Sequence, residues 1–250
     1  YNPGRFPMLS AFFLGGLEYA NSKVASYVAW DLVKETELKE TSDTKFMFVY
    51  GLQPSNIYST KPVRSLEDLQ GLQVRVTGFA ADSIKALGAV PVGMPMNEAY
   101  EALLKGTIDA NLAPAEVLEG WKHAEVTSSI TMTPFINCVF HYITMNLDVW
   151  NSLPPDIQEK IEQVNRKIFE EKSTVFDEIC NRGLEYAVKN YGHEVIELSE
   201  EEQARWKAKL EPLQEKWVKD MEAQGHTEAR EILERVKSLC DKYNEMYGEY

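Results

Sequence analysis

Hydrophobic and polar positions in the first half of the chain switch repeatedly between the spacing of a strand and that of a helix. Residues 17–34 place apolar side chains three and four positions apart, which predicts a helix. Apolar, β-prone runs bounded by glycine or proline predict strands at residues 45–50, 71–78, 90–94 and 107–112. Because helical patterns separate most of these runs, the sequence predicts βα units and a largely parallel sheet.

Helical patterns take over after a long β-prone run at residues 136–145. One helix is predicted over residues 155–191, with Gly183 as its weak point, because glycine costs roughly 1 kcal/mol in a helix interior. Ser199 and Glu202 form a capping box at the start of the next amphipathic helix, and Ser65 to Asp68 give a capping-box-like start to one short helical turn earlier in the chain. The chain ends in a further amphipathic helix, and both are predicted to pack on a sheet.

The composition is that of a globular protein and argues against two classes of partner. Of 250 residues, 44% are hydrophobic and 26% are charged, which provides a sizeable core. The net charge of −13 argues against binding nucleic acid, because phosphate contacts need basic surfaces. No apolar run reaches the length of a membrane span, so stable membrane insertion is not predicted.

The sequence contains none of the usual catalytic or metal-binding motifs. The four histidines show no HExxH or HxH spacing, and GxSxG, Walker A and GxGxxG motifs are absent. Three widely spaced cysteines without a CxxC pair indicate neither a zinc site nor a disulfide framework. We therefore predict no catalytic residue, no metal site and no cofactor.

The strongest polar anomaly is Arg75 in the apolar strand pattern GLQVRVTG, residues 71–78. A guanidinium stays charged at every relevant pH, so the strand must provide it with water or an anion. One interpretation is an edge strand whose arginine points to solvent. The other is a cleft in which Arg75 binds an anion and is hydrated while the cleft is empty. The strand pattern leaves both interpretations open.

Four segments occur in an order that is specific in combination. They are SLEDLQGLQVRV (65–76), LGAVPVGM (87–94), EAYEALLKGTIDA (98–110) and WNSLPP (150–155). Over roughly residues 3–195 the chain resembles the DctP-type solute-binding proteins of tripartite ATP-independent periplasmic (TRAP) transporters. The resemblance implies an α/β, two-lobed periplasmic-binding-protein-like fold, with a ligand cleft between the lobes and a long lobe-spanning helix. It also implies that the N-terminal portion of the protein, including a signal peptide, is missing before Tyr1.

The resemblance divides the chain into two lobes that the backbone crosses near residues 50–53 and again near 136–146. Closure around a ligand is expected to bend the chain at these crossings. The expected division is residues 1–52 and 137–182 for lobe I, which is incomplete, and residues 53–136 and 183–250 for lobe II.

In this family, an arginine at the position of Arg75 forms a salt bridge with the carboxylate of the ligand, so the resemblance makes Arg75 the anion anchor. A planar guanidinium suits this task because its donors match both oxygens of a carboxylate. The other candidates lie at the C-terminal ends of strands or in the turns that follow, where ligands of open α/β sheets bind. They are Phe79, Met96, Ala113 and Glu116.

Two departures from the family pattern, together with the apolar Met96 and Phe79, make the predicted cleft less polar. Many relatives carry a second arginine where this chain has Ser55 or its neighbours, and an asparagine where it has Ala113. Several have an aromatic residue at the position of Met96. An organic acid with one acidic head and a substantial apolar or aromatic body would suit such a cleft. A small organic acid or a sulfonate is the alternative.

The sequence therefore predicts a periplasmic protein that captures an organic acid anion and delivers it to the membrane subunits of a TRAP transporter. Two alternatives stay open. One is the effector-sensing domain of a transcriptional regulator, which can share the two-lobed architecture. The other is an α/β enzyme that acts on a small acid, and turnover of a bound acid would favour it.

Overall fold

The computed structural model of the protein describes residues 5–36 and 39–248 and has a mixed α/β architecture. The strands are β1 (Thr44–Gly51), β2 (Asn56–Ser59), β3 (Gln73–Val76), β4 (Val90–Gly93), β5 (Ala110–Ala113), β6 (Ser129–Met132), β7 (Phe140–Asn146) and β8 (Glu194–Glu197). The helices are α1 (Ser22–Glu35), α2 (Leu66–Leu69), α3 (Ala80–Ala86), α4 (Met96–Leu104), α5 (Glu116–Gly120), α6 (Leu147–Ser152), α7 (Pro155–Lys172), α8 (Val175–Tyr191), α9 (Glu200–Ala223) and α10 (Ala229–Tyr247). Within this part of the chain, no helix combines the length and the apolar composition that crossing a bilayer requires.

Most elements predicted from the pattern are present, and both predicted serine caps are formed. Ser65 Oγ accepts the Asp68 N–H at 3.3 Å at the start of α2. Ser199 Oγ accepts the Glu202 N–H at 3.2 Å at the start of α9. The pattern does not predict β2, β6 or β8.

Six of the strands form a mixed sheet in the order β4-β3-β5-β2-β6-β8. β3 pairs in parallel with β4 and β5, and β6 pairs in parallel with β8. β2 runs antiparallel to both of its neighbours. The prediction of a largely parallel sheet is therefore wrong at its centre, because β2 enters from the other sheet rather than through a crossover helix.

The other two strands, β1 and β7, form an antiparallel ribbon with a core of its own. α1 packs on β1 and α10 packs on α1, so that Val49 and Val236 belong to the same apolar cluster. A second cluster lies at the six-stranded sheet and includes Val74 and Trp206. α9 joins the two cores, because its Trp206 lies in the second and its Trp217 in the first.

The chain passes between the two sheets after β1 and again before β7, and the two passing segments run side by side. Leu52 N–H donates to Val139 O at 2.8 Å, and Ser55 N–H donates to Asn137 O at 2.9 Å. These backbone hydrogen bonds join the two passing segments where they run from one sheet to the other.

The predicted lobe boundaries remain a prediction, except that α10 does not lie where the predicted division puts it. Residues 183–250 are assigned to lobe II, but Ile232, Val236 and Leu239 of α10 lie in the first core. The chain returns there because α9 carries it from one core to the other. Residues 1–4, 37–38 and 249–250, which the predicted boundaries include, lie outside the described residues.

The single helix predicted over residues 155–191 is wrong, because Ser173 and Thr174 separate α7 from α8. The first residue of α1 packs at this break. Ser22 Oγ donates to Ser173 O at 2.8 Å, and Asp177 Oδ1 accepts the Ser22 N–H at 2.9 Å. A tertiary contact with a distant segment thus accompanies the break.

Gly183, the predicted weak point, lies inside the continuous helix α8. A Cβ atom at this position would lie only 2.3 Å from Ala115 O in the turn before α5. Glycine is therefore required here for the close approach of α8 to α5, which carries one of the candidate site residues.

Candidate functional site

A cavity of about 560 Å³ lies between the two sheets, and both contribute to its lining. We call the residues from the six-stranded sheet and its loops the sheet wall: Arg75, Thr77, Gly78, Phe79, Ala80, Met96, Leu112, Ala113, Pro114, Glu116 and Trp121. We call the residues from the N-terminal segment, the ribbon and the passing segments the ribbon wall: Phe6, Leu9, Ser10, Phe13, Tyr50, Leu52, Asn137, Val139, Phe140, His141, Tyr142 and Ile143. The volume is in the range of small-molecule pockets.

All the residues predicted to bind a ligand line this one cavity, and all belong to the sheet wall. They are Arg75, Phe79, Met96, Ala113 and Glu116. Each lies near the end of β3 or β5, or at the start of the helix that follows a strand. The structure thus brings together five side chains that sequence reasoning selected separately, while their binding of a ligand remains a prediction.

Arg75 is not a surface residue of an edge strand. β3 lies between β4 and β5, and Arg75 is only 3% exposed. Its Nε donates to Met94 O at 3.0 Å, and its Nη1 donates to Asn111 Oδ1 at 3.4 Å. The expectation that the guanidinium is hydrated in an empty cleft is therefore wrong, because protein groups hold it. These bonds orient the guanidinium at the cavity wall.

Asn111 connects Arg75 to a buried histidine. Asn111 Nδ2 lies 3.1 Å from His123 Nδ1. Burial, and secondarily the charge of Arg75, lowers the pKa of His123 to about 4. The imidazole is therefore neutral at neutral pH, and its Nδ1 accepts the amide hydrogen. This arrangement keeps Arg75 as the positive charge of the network.

Glu116 is a carboxyl group with little of the stabilisation that an ionised carboxylate needs. It begins α5 beside the cavity, and its Oε2 is buried without a hydrogen-bond partner among the described residues. Burial raises the pKa of Glu116 to about 7, although the N–H groups of Glu116 and Val117 and the charge of Arg75 act in the opposite direction. Near neutral pH the group is therefore close to half protonated.

The remaining predicted residues give the sheet wall an apolar surface. Ala113 is 2% exposed, and Met96 Sδ lies 3.8 Å from Asn111 Nδ2. Phe79 stacks with Phe13 of the ribbon wall, with ring centroids 5.9 Å apart and an interplanar angle of 22°. The Phe13–Phe79 stack connects the two walls.

Aromatic rings dominate the ribbon wall. Phe140 packs edge-on against Phe13 with centroids 5.6 Å apart, and Tyr50 packs edge-on against His141 at 5.4 Å. Tyr142 is 39% exposed. The ribbon wall therefore offers ring faces and edges to a bound molecule, whereas the arginine and the glutamate of the cavity both come from the sheet wall.

Sequence reasoning missed Asn111, His123 and the ribbon wall. Asn111 does carry a signal, because it precedes Ala113 by two positions in a strand and therefore shares its face. It is also the register partner of Arg75. His123 and the ribbon wall have no comparable signal, because only the tertiary fold brings them to the cavity.

Across residues 5–36 and 39–248, no group of three or more His, Cys, Asp or Glu side chains could hold a metal ion. The three cysteines, Cys138, Cys180 and Cys240, are buried and form no disulfide with one another. The arrangement as a whole is suited to holding an anion with an apolar body.

Comparison with known sequences identifies a family. The profile described as DctP, bacterial extracellular solute-binding protein, family 7, matches residues 30–220. A solute-binding protein of Sulfitobacter sp. (strain NAS-14.1) is 32% identical over 149 residues, covering 59% of this chain and 44% of the relative. The chain spans about half the length of the curated relatives it matches.

Comparison with solved structures identifies the fold. A TRAP periplasmic solute-binding protein from Desulfovibrio salexigens, an open complex, has a TM-score of 0.89 and 35% identity, covering 100% of this chain and 76% of that chain. A TRAP solute-binding protein from Rhodoferax ferrireducens, in complex with copurified benzoate, has a TM-score of 0.86 and 26% identity, covering 97% and 77%. The two-lobed fold class is therefore confirmed.

The family and the fold are those of transport solute-binding proteins and not of enzymes, so the alternative of an α/β enzyme is not supported. The alternative of a regulator's sensing domain is not favoured either. The matched region extends from α1 into α9 and includes the complete sheet wall. The chain belongs to the DctP family, bacterial extracellular solute-binding protein family 7.

Proposed function

We propose that this protein works in the periplasm, where it captures an organic acid anion between its lobes and delivers it to the membrane subunits of a TRAP transporter. The observation that carries the proposal is a buried guanidinium at the wall of a cavity whose other lining is mostly apolar. A permanent positive charge in such a place favours an anion over a neutral molecule.

Arg75 anchors the acid group in this proposal. Its guanidinium is oriented by Met94 O and Asn111 Oδ1 before binding, so less conformational entropy is lost when an anion arrives. The neutral His123 behind Asn111 adds no competing charge. A carboxylate that reaches the guanidinium gains a charge-assisted hydrogen bond in surroundings that exclude most water.

The apolar lining selects the body of the ligand. Met96 and Ala113 on the sheet wall and the rings of Phe13, Tyr50 and Phe140 on the ribbon wall surround the cavity. Aromatic side chains bind other rings in stacked and edge-on arrangements. The related Rhodoferax ferrireducens protein holds copurified benzoate, and we assign an aromatic or similarly apolar monocarboxylate to this chain.

A thermal-shift screen on the full-length protein tests the proposal. The probes are benzoate, 3-hydroxybenzoate, succinate and benzenesulfonate at equal concentrations. We expect the aromatic carboxylates to raise the melting temperature most, because they should bind most tightly and stabilisation grows with the ratio of ligand concentration to Kd. A ligand at 100 times its Kd stabilises a folded protein by about 2.7 kcal/mol. The proposal fails if no acid raises the melting temperature, or if Arg75→Ala responds as strongly as the wild type.

Delivery is tested separately with the membrane subunits of the transporter in vesicles. Uptake of radiolabelled benzoate should require the binding protein and should be lost with Arg75→Ala. Uptake at the same rate without the binding protein contradicts delivery.

A further inference from the structure

Glu116 places an acidic group in the same cavity as the proposed anion anchor. Its Oε2 is buried and has no hydrogen-bond partner among the described residues, although its side chain lines the cavity. Arg75 is near enough for its charge to act on Glu116. A site for an anion therefore contains a carboxyl group that would repel the anion whenever it is ionised.

Among the described residues, Arg75 is the positive side chain whose charge acts on Glu116. Other charged or titratable groups near Glu116 are Tyr58 on β2, Asp177, Cys180 and Arg182 on α8, and His123 after α5. His141 of the ribbon wall lines the same cavity, and burial lowers its pKa. Arg182 is engaged, because its Nε donates to Glu119 Oε2 at 2.7 Å. Burial keeps Tyr58 and Cys180 protonated, since it raises both pKa values, that of Cys180 to about 12.

The charges in the cavity can then be counted for both states of Glu116. With Glu116 ionised, an arriving monoanion makes two negative charges against the single positive charge of Arg75. With Glu116 protonated, the monoanion and Arg75 balance each other. Because charges interact strongly where water is excluded, binding of the anion favours the protonated carboxyl group.

We propose that the site binds its organic monoanion together with one proton, which Glu116 Oε2 takes from solvent, and that it therefore discriminates against dianions. This inference rests on the proposed function, because it takes Arg75 as the anchor. One O–H bond forms on Glu116, and the net charge of the protein–ligand complex equals that of the ionised free protein. The new hydroxyl also gives the orphaned oxygen a hydrogen that an oxygen of the bound acid can accept.

Titration calorimetry on the full-length protein tests the proposal, with benzoate as the monoanion and benzene-1,3-dicarboxylate as the dianion of similar shape. Titrations in phosphate, imidazole and Tris, whose ionisation enthalpies differ, measure the protons taken up on binding. We expect uptake close to one proton at pH 8 and clearly less at pH 6, where Glu116 is already protonated. Benzoate affinity should fall about tenfold per pH unit above pH 7.

Two variants separate Glu116 from its surroundings. Glu116→Gln should bind benzoate without proton uptake, with an affinity that stays constant from pH 6 to pH 8. It should also narrow the preference for benzoate over benzene-1,3-dicarboxylate. Glu101→Gln, a change of the same charge at an exposed position of α4, should behave as the wild type, because Glu101 forms its ion pair with Lys105 outside the cavity lining.

The outcomes distinguish this inference from the proposed function. Arg75-dependent binding of benzoate without proton uptake at pH 8 overturns the inference and leaves the proposed function intact. Proton uptake that persists in Glu116→Gln also overturns it. If neither benzoate nor any other monocarboxylate of the thermal-shift screen binds, the proposed function fails and the inference fails with it.

Discussion

The sheet wall and the ribbon wall of the cavity differ in how firmly the fold holds them and in what they offer a ligand. Arg75 lies on a strand with a neighbour on each side, and Glu116 follows directly from another such strand. The ribbon wall rests on two strands that, within the described part of the chain, pair only with each other, and its Tyr142 and Ile143 are 39% and 58% exposed. One wall lies on strands that are paired on both sides and carries Arg75 and Glu116, whereas the other is more exposed and rich in aromatic rings.

The difference shows what each kind of recognition requires. A buried charge must be surrounded by groups that are already oriented, because an unsatisfied polar group in an apolar site costs several kcal/mol. Paired strands with fixed register provide such groups, as Arg75 and its register partner Asn111 illustrate. Contact with an apolar body depends mainly on area and tolerates a more loosely held surface. The walls should therefore respond differently to mutation.

The largest expected effect is that of Arg75→Ala on binding. Removing a desolvated anchor should cost about 2–5 kcal/mol, which is about thirtyfold to several thousandfold in benzoate affinity. Arg75→Lys should recover only part, because a lysine cannot reproduce the planar pair of donors. Titration calorimetry measures the affinity of both variants. Circular dichroism checks that they fold, because Asn111 loses the hydrogen bond from Arg75 in Arg75→Ala. Near-wild-type affinity in Arg75→Ala would mean that the sheet wall does not hold the acid group.

The next effect concerns folding without a ligand and uses Glu116→Gln. The ordinary pKa of 4.5 rises to about 7 on folding, so stability from Glu116 is full below pH 4.5, falls as the pH rises, and is lost above pH 7. The loss amounts to roughly 3 kcal/mol, from about 2.5 pKa units at 1.36 kcal/mol each. Urea unfolding at pH 4 and pH 8 should therefore show that the variant gains stability over the wild type as the pH rises.

His123 contributes in the opposite sense, because its pKa falls from 6.5 to about 4 on folding and its contribution is lost as the pH drops through this range. The Glu116→Gln variant and the wild type both contain His123, so its contribution cancels in the difference between their stabilities. A difference between variant and wild type that is equal at pH 4 and pH 8 would contradict the burial of an orphaned carboxyl group.

A smaller effect is expected for Ala113→Asn, which introduces a larger polar side chain at a position that is 2% exposed. Overpacking should lower the stability by about 1–3 kcal/mol. The amide should also reduce the space for benzoate and weaken its binding. Thermal melting with and without benzoate measures both, and Ala223→Asn at an exposed position of α9 is the matched control. Unchanged benzoate binding would show that Ala113 does not contact the acid.

The smallest effect should come from the link between the walls. Phe79→Leu keeps an apolar side chain but removes the stack with Phe13, and aromatic pairs contribute about 0.5–1.5 kcal/mol beyond their buried area. Benzoate affinity should fall about twofold to tenfold. A double-mutant cycle with Phe13→Leu isolates the coupling, and Ile143→Ala on the exposed part of the ribbon wall is the control. If Ile143→Ala weakens binding as much as Phe79→Leu, the two walls do not differ as described.

Local patterns in the sequence were enough to identify the α/β class, the serine caps at Ser65 and Ser199, and the candidate residues of the sheet wall. These features depend on neighbours along the chain: a cap needs its own helix, and the C-terminal end of a strand is visible in its pattern. Arg75 stood out for the same reason, because a charge interrupts an apolar alternation. The order of four segments added the family, which no single pattern would have indicated.

Only the tertiary structure decided the ribbon wall, the Asn111–His123 network, the break between α7 and α8, and the protonation state of Glu116. Each depends on segments that are far apart in the sequence, as when Ser22 contacts Ser173 at the end of α7. Glu116 is the clearest case. A glutamate in the first turn of a helix is ordinarily ionised and favoured by the helix dipole. Burial beside the cavity raises its pKa to about 7, because desolvation depends on what packs around a carboxyl group, and the sequence does not contain that packing in any local pattern.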